Sequence, residues 1–159
     1  MRIPIVNEQD EVIGYKDRYD RNLVDITRTT GLWVTDEQGN ILLAQRALDK
    51  KHSPGLWGPA VAGTVEEGET YESNIIKEAD EELGLKNIKP ILGTKFLRET
   101  SHKYFSQWFT LIIPRDTILK VEVREVAQIK WFTKDELDNV LKENPEMFLR
   151  DFEKTIKYL

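Results

Sequence analysis

The sequence predicts an α/β (α+β) fold, a mixed β-sheet with helices packed on it. Two observations carry this. Apolar, β-branched runs bounded by turn formers recur along the chain, and they alternate with segments whose apolar residues repeat at helical spacing. The length, 159 residues, suits one domain over residues 1–159 with a core that needs no staples.

The elements follow in order. Ile3 to Val6 and Glu11 to Tyr15 form a predicted hairpin through Asn7 to Asp10, and Lys16 to Asn22 reads as a charged connection. Thr30 to Thr35 and Ile41 to Arg46 read as strands joined by the turn formers Asp36 to Asn40. Asp49 to Pro54 is a polar loop, and Pro59 to Ala62 is a short apolar piece. Thr70 to Leu83 is the clearest helix. Thr70 suits an N-cap, Gly84 suits the left-handed residue that ends a helix, and Tyr71, Ile75, Ala79 and Leu83 recur every four residues. Ile88 to Leu97, Tyr104 to Ile113 and Val126 to Phe132 read as strands. Thr133 to Lys142 is a helix with a capping box of Thr133 and Glu136. Pro145 opens a last helix running to about Lys157.

Composition narrows the chemistry. The chain has no cysteine, which excludes disulfides, zinc–thiolate sites and thiol nucleophiles. Met1 to Asp10 is polar, with no apolar signal region, and no apolar run reaches membrane-spanning length, so a cytoplasmic protein with no membrane partner is expected. The net charge of −5 argues against a nucleic-acid polymer as partner. A small anionic substrate stays compatible with that charge, because a bound metal can supply local positive charge.

The helix starting at Thr70 carries the most information. At about 100° per residue, Glu78 and Glu82 lie roughly 40° apart, with Glu81 roughly 60° to the other side of Glu78. Three carboxylates thus share one stripe beside the apolar one. Like charges at these spacings destabilise a bare helix by a few tenths of a kcal/mol per pair. A hard divalent cation would offset that repulsion, and Mg²⁺ is commonly shared with substrate phosphates. An isolated Glu-x-x-Glu-Glu is more often a solvated face.

The wider spacing changes that balance. Gly63, Glu69, Glu78, Ala79, Glu81, Glu82, Gly84 and Leu85 resemble the Nudix box, within residues 63–85. Six fixed Gly/Glu positions would match by chance on the order of once in ten thousand such chains. The resemblance extends from about Thr30 to Leu137 and takes in Ile41 to Arg46, Pro54 to Trp57 and Glu125 to Trp131. It implies a mixed sheet sandwiched between helices and a Mg²⁺-dependent hydrolase of diphosphate linkages in nucleotide-type metabolites, with Mn²⁺ as a substitute. By resemblance, Glu78 and Glu82 are the main metal ligands. Glu81 is a ligand or the base, the Gly63 carbonyl contributes, and Glu69 orients the others. Glu125 matches a downstream glutamate that binds metal or polarises water, with Glu99 and Glu122 as weaker candidates. Arg46 is expected to meet a phosphate and Trp57 to touch the ligand. Members are often homodimers, a point on which this sequence is silent.

One box position departs from the family. Its arginine is Lys77 here, which keeps the charge but loses the planar fork. A non-catalytic domain that binds a nucleotide or a partner is therefore the alternative reading. Lys50, Lys51, His52 and His102 read as solvated loop residues. The N-terminal extension, residues 1–29, resembles the branch containing isopentenyl-diphosphate isomerase. That reaction needs a cysteine where this chain has Ala62, and a family histidine is replaced by Thr27, so isomerase activity is not expected.

Overall fold

The computed structural model describes residues 1–159. Nine strands form one sheet. They are β1 (Arg2–Val6), β2 (Val12–Asp17), β3 (Ile26–Thr35), β4 (Ile41–Arg46), β5 (Trp57–Pro59), β6 (Val61–Thr64), β7 (Ile91–Glu99), β8 (Lys103–Ile112) and β9 (Val126–Phe132). The helices are α1 (Tyr71–Leu83), α2 (Lys134–Glu143) and the short α3 (Phe152–Ile156). No helix is long and apolar enough to cross a membrane.

Strand β3 organises the sheet. β8 runs parallel along one of its edges from Ile26 to Thr35. Along the other edge β1, β6 and β4 follow one another, each antiparallel. After Leu42, β4 leaves β3 and pairs with β5 on that edge, while β9 runs antiparallel along its other edge. This splay opens a recess between β4–β5 and β6, where the candidate site lies.

The sheet is covered on both faces. On one side Ile75, Ala79 and Leu83 of α1 are fully buried against Leu32, Val34, Val61 and Phe109. Each such aliphatic side chain contributes about 1.5–3 kcal/mol by leaving water. On the other side Leu137 and Leu141 of α2, with Phe148 and Phe152, pack on Trp57, Trp108 and Phe132.

The caps follow the predicted pattern. The Thr70 hydroxyl accepts from the Ser73 amide, and Ser73 Oγ accepts from the Thr70 amide. Gly84 closes α1 at φ +66, a left-handed conformation that glycine adopts without penalty. Thr133 and Glu136 form the second capping box.

Several expectations are corrected. The last helix is not continuous from Pro145 to Lys157. A 3₁₀ turn (Pro145–Met147) is followed by an extended stretch in which the Leu149 amide donates to the Trp57 carbonyl. α3 then begins after Asp151, at φ +63. Tertiary pairing with β5 outweighs local helix propensity here. β3 starts at Ile26, four residues before the expected Thr30. The apolar piece Pro59 to Ala62 is split at Ala60 between β5 and β6. Trp57 is buried at 6% exposure and meets Phe132 edge-to-face at 5.7 Å. It is a core residue and does not line the recess, contrary to its expected ligand contact.

The N-terminal hairpin is fastened to the start of α1. Asp10, at its tip, accepts from Arg28 Nε at 2.7 Å, Lys95 Nζ at 2.6 Å and the Tyr71 hydroxyl at 2.9 Å. Arg2 anchors the other end, its side chain pairing with Glu67 at 2.8 Å and its carbonyl accepting from the Glu67 amide. Burial works against the Asp10 carboxylate, but its three donors outweigh that cost and hold its pKa below the ordinary value. The stabilisation is therefore present above the ordinary carboxylate pKa and is lost as pH falls through the lowered one. Asp10→Asn should cost about 2 kcal/mol at pH 7 in urea unfolding. The gap to wild type should close in strong acid; a gap independent of pH would remove Asp10 from this role.

Candidate active site

Helix α1 lies directly on β6, and Gly63 makes this possible. A Cβ at residue 63 would fall onto Glu78 Cγ and come within 2.8 Å of Asn74 Oδ1. The Gly63 backbone and the Glu78 side chain are thereby brought into close approach. Asn74, fully buried, ties the contact together. It accepts from the Thr30 hydroxyl and donates to the Thr64 carbonyl at 3.0 Å and Glu69 Oε2 at 2.8 Å. Sequence reasoning misses Asn74. Its only signal is a polar residue on the inner face of α1, one turn before Glu78.

Lys77 gathers the carboxylates on the near side. Its Nζ lies 2.6 Å from Glu69, 3.0 Å from Glu66 and 3.7 Å from Glu78. Burial works against the ammonium, but hydrogen bonds to Glu69 and Glu66 dominate and raise its pKa above the ordinary lysine value. Glu69 is likewise disfavoured by burial, yet Lys77, the Glu66 amide and Asn74 hold its pKa low. Lys77 and Glu69 are a fixed ion pair.

Glu78 and Glu82 behave in the opposite way. Burial, with repulsion from Glu81, Glu69 and Glu66, pushes Glu78 up to about 7 despite Lys77. Burial and the charge of Glu78 push Glu82 up to about 8. No cation stands within ion-pairing distance of Glu82, whose one hydrogen bond is a 3.4 Å contact from the Ala62 amide. The donor set is all oxygen and under-neutralised, which suits a hard divalent cation. Glu81 is exposed one step around the helix. No three acidic or histidine side chains already converge as a coordinating group.

Across the recess stand Arg46 and Glu125, which line it with Glu82, Ala62, Gly58 and Leu149. Arg46 is half-buried, and its Nε donates to the His52 carbonyl at 3.1 Å. Glu125 is paired with Lys50. Lys50 is thus a member of the site, a correction to its expected place in a solvated loop. Glu99 pairs with Lys103 and Glu122 with Arg124, both on the surface, and neither reaches the recess.

The family model described as the NUDIX domain matches residues 25–152. Similar proteins include several named isopentenyl-diphosphate Delta-isomerase. One from Photobacterium profundum is 25% identical over 99% of this chain and 93% of its own length. Another, from Salmonella heidelberg, is 31% identical over 81% of this chain and 75% of its own. Among solved structures, DR0079 from Deinococcus radiodurans is similar with a TM-score of 0.85 at 25% identity, covering 99% of this chain and 98% of that one. The chain belongs to the Nudix family.

The raised Glu82 carries a stability consequence. Between pH 4.5 and about 8 the unfolded chain releases this proton while the folded one retains it. Metal-free stability should therefore fall as pH rises through that window. Glu82→Gln should melt a few degrees above wild type at pH 8 in EDTA and level with it at pH 5. Equal melting at both pH values would mean that Glu82 is solvated.

Proposed function

We propose that this protein is a Mg²⁺-dependent pyrophosphohydrolase that cleaves a diphosphate linkage in a nucleotide-type metabolite, a nucleoside diphosphate linked to a further group. The observation that supports it most is the under-neutralised Glu82 sharing one recess with half-buried Arg46, with Glu78, also under-neutralised, one turn earlier on α1. Glu78, Glu82 and the Gly63 carbonyl would hold the metal, with Glu81 completing the set from its exposed position. Bound Mg²⁺, or Mn²⁺ in its place, neutralises a diphosphate and lowers the pKa of a coordinated water.

The chain's own groups supply the rest. Arg46 offers its free guanidinium N–H groups to a phosphate oxygen. Glu125, which lines the recess with Glu82, would accept a proton from water, with Glu81 as the other carboxylate at the edge. Lys77 and Glu69 hold the start of the box in register. Lys77 makes the contacts expected of an orienting residue, which argues for a working site and against a purely binding domain. The isomerase reaction borne by the named relatives is not proposed, because Ala62 stands where it needs a thiol and a methyl group exchanges no proton.

A panel of nucleoside triphosphates, nucleoside diphosphate sugars, dinucleoside polyphosphates and isoprenoid diphosphates, each with Mg²⁺ or EDTA, tests this. Magnesium-dependent cleavage of one class is expected, with a loss of at least about a hundredfold in Glu82→Gln. Cleavage surviving EDTA, or full activity in that variant, would rule out the metal-site assignment. Silence across the panel together with tight nucleotide binding would establish a sensing domain instead.

A further inference from the structure

The C-terminal segment supplies one wall of the recess, and the proposed chemistry gives that wall no part. After the 3₁₀ turn at Pro145–Met147 the chain runs extended beside β5. Trp57 and Phe148 form a parallel bridge, and the Leu149 amide donates to the Trp57 carbonyl at 2.8 Å. Phe148 stacks on Phe152, with ring centroids 5.8 Å apart and planes 7° from parallel. Both rings are buried in the core with Leu137 and Leu141 of α2. The chain is thus pinned before and after Leu149.

The seat of Leu149 is Gly58, which stands opposite Ala44 across β4 and β5. A Cβ at residue 58 would fall 2.5 Å from Leu149 Cδ1 and 3.3 Å from its Cγ, and its three nearest neighbours would all be atoms of Leu149. Gly58 does not have a positive φ, so the space taken by Leu149, not a left-handed backbone, is what calls for glycine here. Leu149 lines the same recess as Arg46, Glu82 and Glu125. The other apolar side chains lining it are Ala44, Pro59, Ala60, Ala62 and Val126, all smaller than leucine, so the width of the recess depends most on Leu149. The space enclosed is about 40 Å³, room for about three waters. A phosphate group is of that size, and a sugar or base ring is larger.

We propose that Leu149 is the specificity-determining residue of the recess: seated on Gly58, it leaves room for a phosphate beside Arg46 and Glu82 and keeps a ring out. This rests on the hydrolase reading and narrows it to substrates whose group beyond the nucleoside diphosphate is compact, a phosphate in preference to a sugar.

The probes are ATP and UDP-glucose, each with Mg²⁺, and the readout is the ratio of their kcat/KM values. Wild type should favour ATP. Leu149→Ala removes three carbons from the wall and should shift the ratio toward UDP-glucose about tenfold. Leu149→Val should shift it less in the same direction, and Leu149→Met, of similar volume, should keep it. A wild-type preference for UDP-glucose, or an unchanged ratio in the truncated variants that fold, would overturn the role. Gly58→Ala should lower the melting midpoint by a few degrees in wild type and by much less in Leu149→Ala, where the added methyl has space. Equal losses in both backgrounds would overturn the seat on Gly58. Where neither probe is cleaved, calorimetric titration of both with Mg²⁺ carries the same test through the ratio of affinities. An unchanged ratio there, or no binding of either, would overturn the role of Leu149. The expected shift in affinity with silence across the whole substrate panel would overturn the hydrolase reading alone.

Discussion

The site depends on how closely helix α1 rests on strand β6. At Gly63 no Cβ intervenes, so Glu78 is pressed against the β6 backbone, and buried Asn74 fixes the two elements at that spacing. A helix held one methyl group further out would carry the same glutamates into solvent. There they would repel one another weakly and bind little. The close seat is what makes them costly to ionise, and that cost is the basis of any affinity for a cation.

The charged residues of the box divide into two sets. Glu66 and Glu69 are paired with Lys77, whereas Glu78 and Glu82 are left under-neutralised. Lysine in place of the family's arginine does not break this division. Its flexible stem brings one ammonium within reach of three carboxylates, although it lacks the fork that would hold each of them bidentately. The hairpin acts on the same region from outside. Arg2 grips Glu67 and Asp10 grips Tyr71, so both ends of the turn leading into α1 are tied to β1 and its loop.

Much of this was legible in the sequence, for identifiable reasons. The box glutamates, the Thr70 and Thr133 caps and the bounds of β9 depend on local spacing and local hydrogen bonds, which a sequence displays directly. The start of β3 at Ile26 depends on parallel pairing with β8, far along the chain, and no local pattern in Ile26 to Thr29 announces it. The break after Met147 arises because Leu149 bonds to Trp57, and the burial of Trp57 arises because Phe132 and Phe148 cover it. Asn74 and Lys50 are single polar residues whose importance depends on what lies opposite them in space.

The distribution of charge reconciles an acidic chain with an anionic ligand. A net charge of −5 repels phosphates at long range, but at physiological ionic strength that field decays within about 8 Å. Inside the recess the local balance decides. There the half-buried guanidinium of Arg46, without an ion pair to a carboxylate, lines the same recess as under-neutralised Glu82. Several acids close to α1 are already committed, Asp10 to Arg28 and Lys95, Glu67 to Arg2, and Glu69 to Lys77. Glu82 and Arg46, left uncommitted in the recess, are the complement of the proposed metal-bound diphosphate.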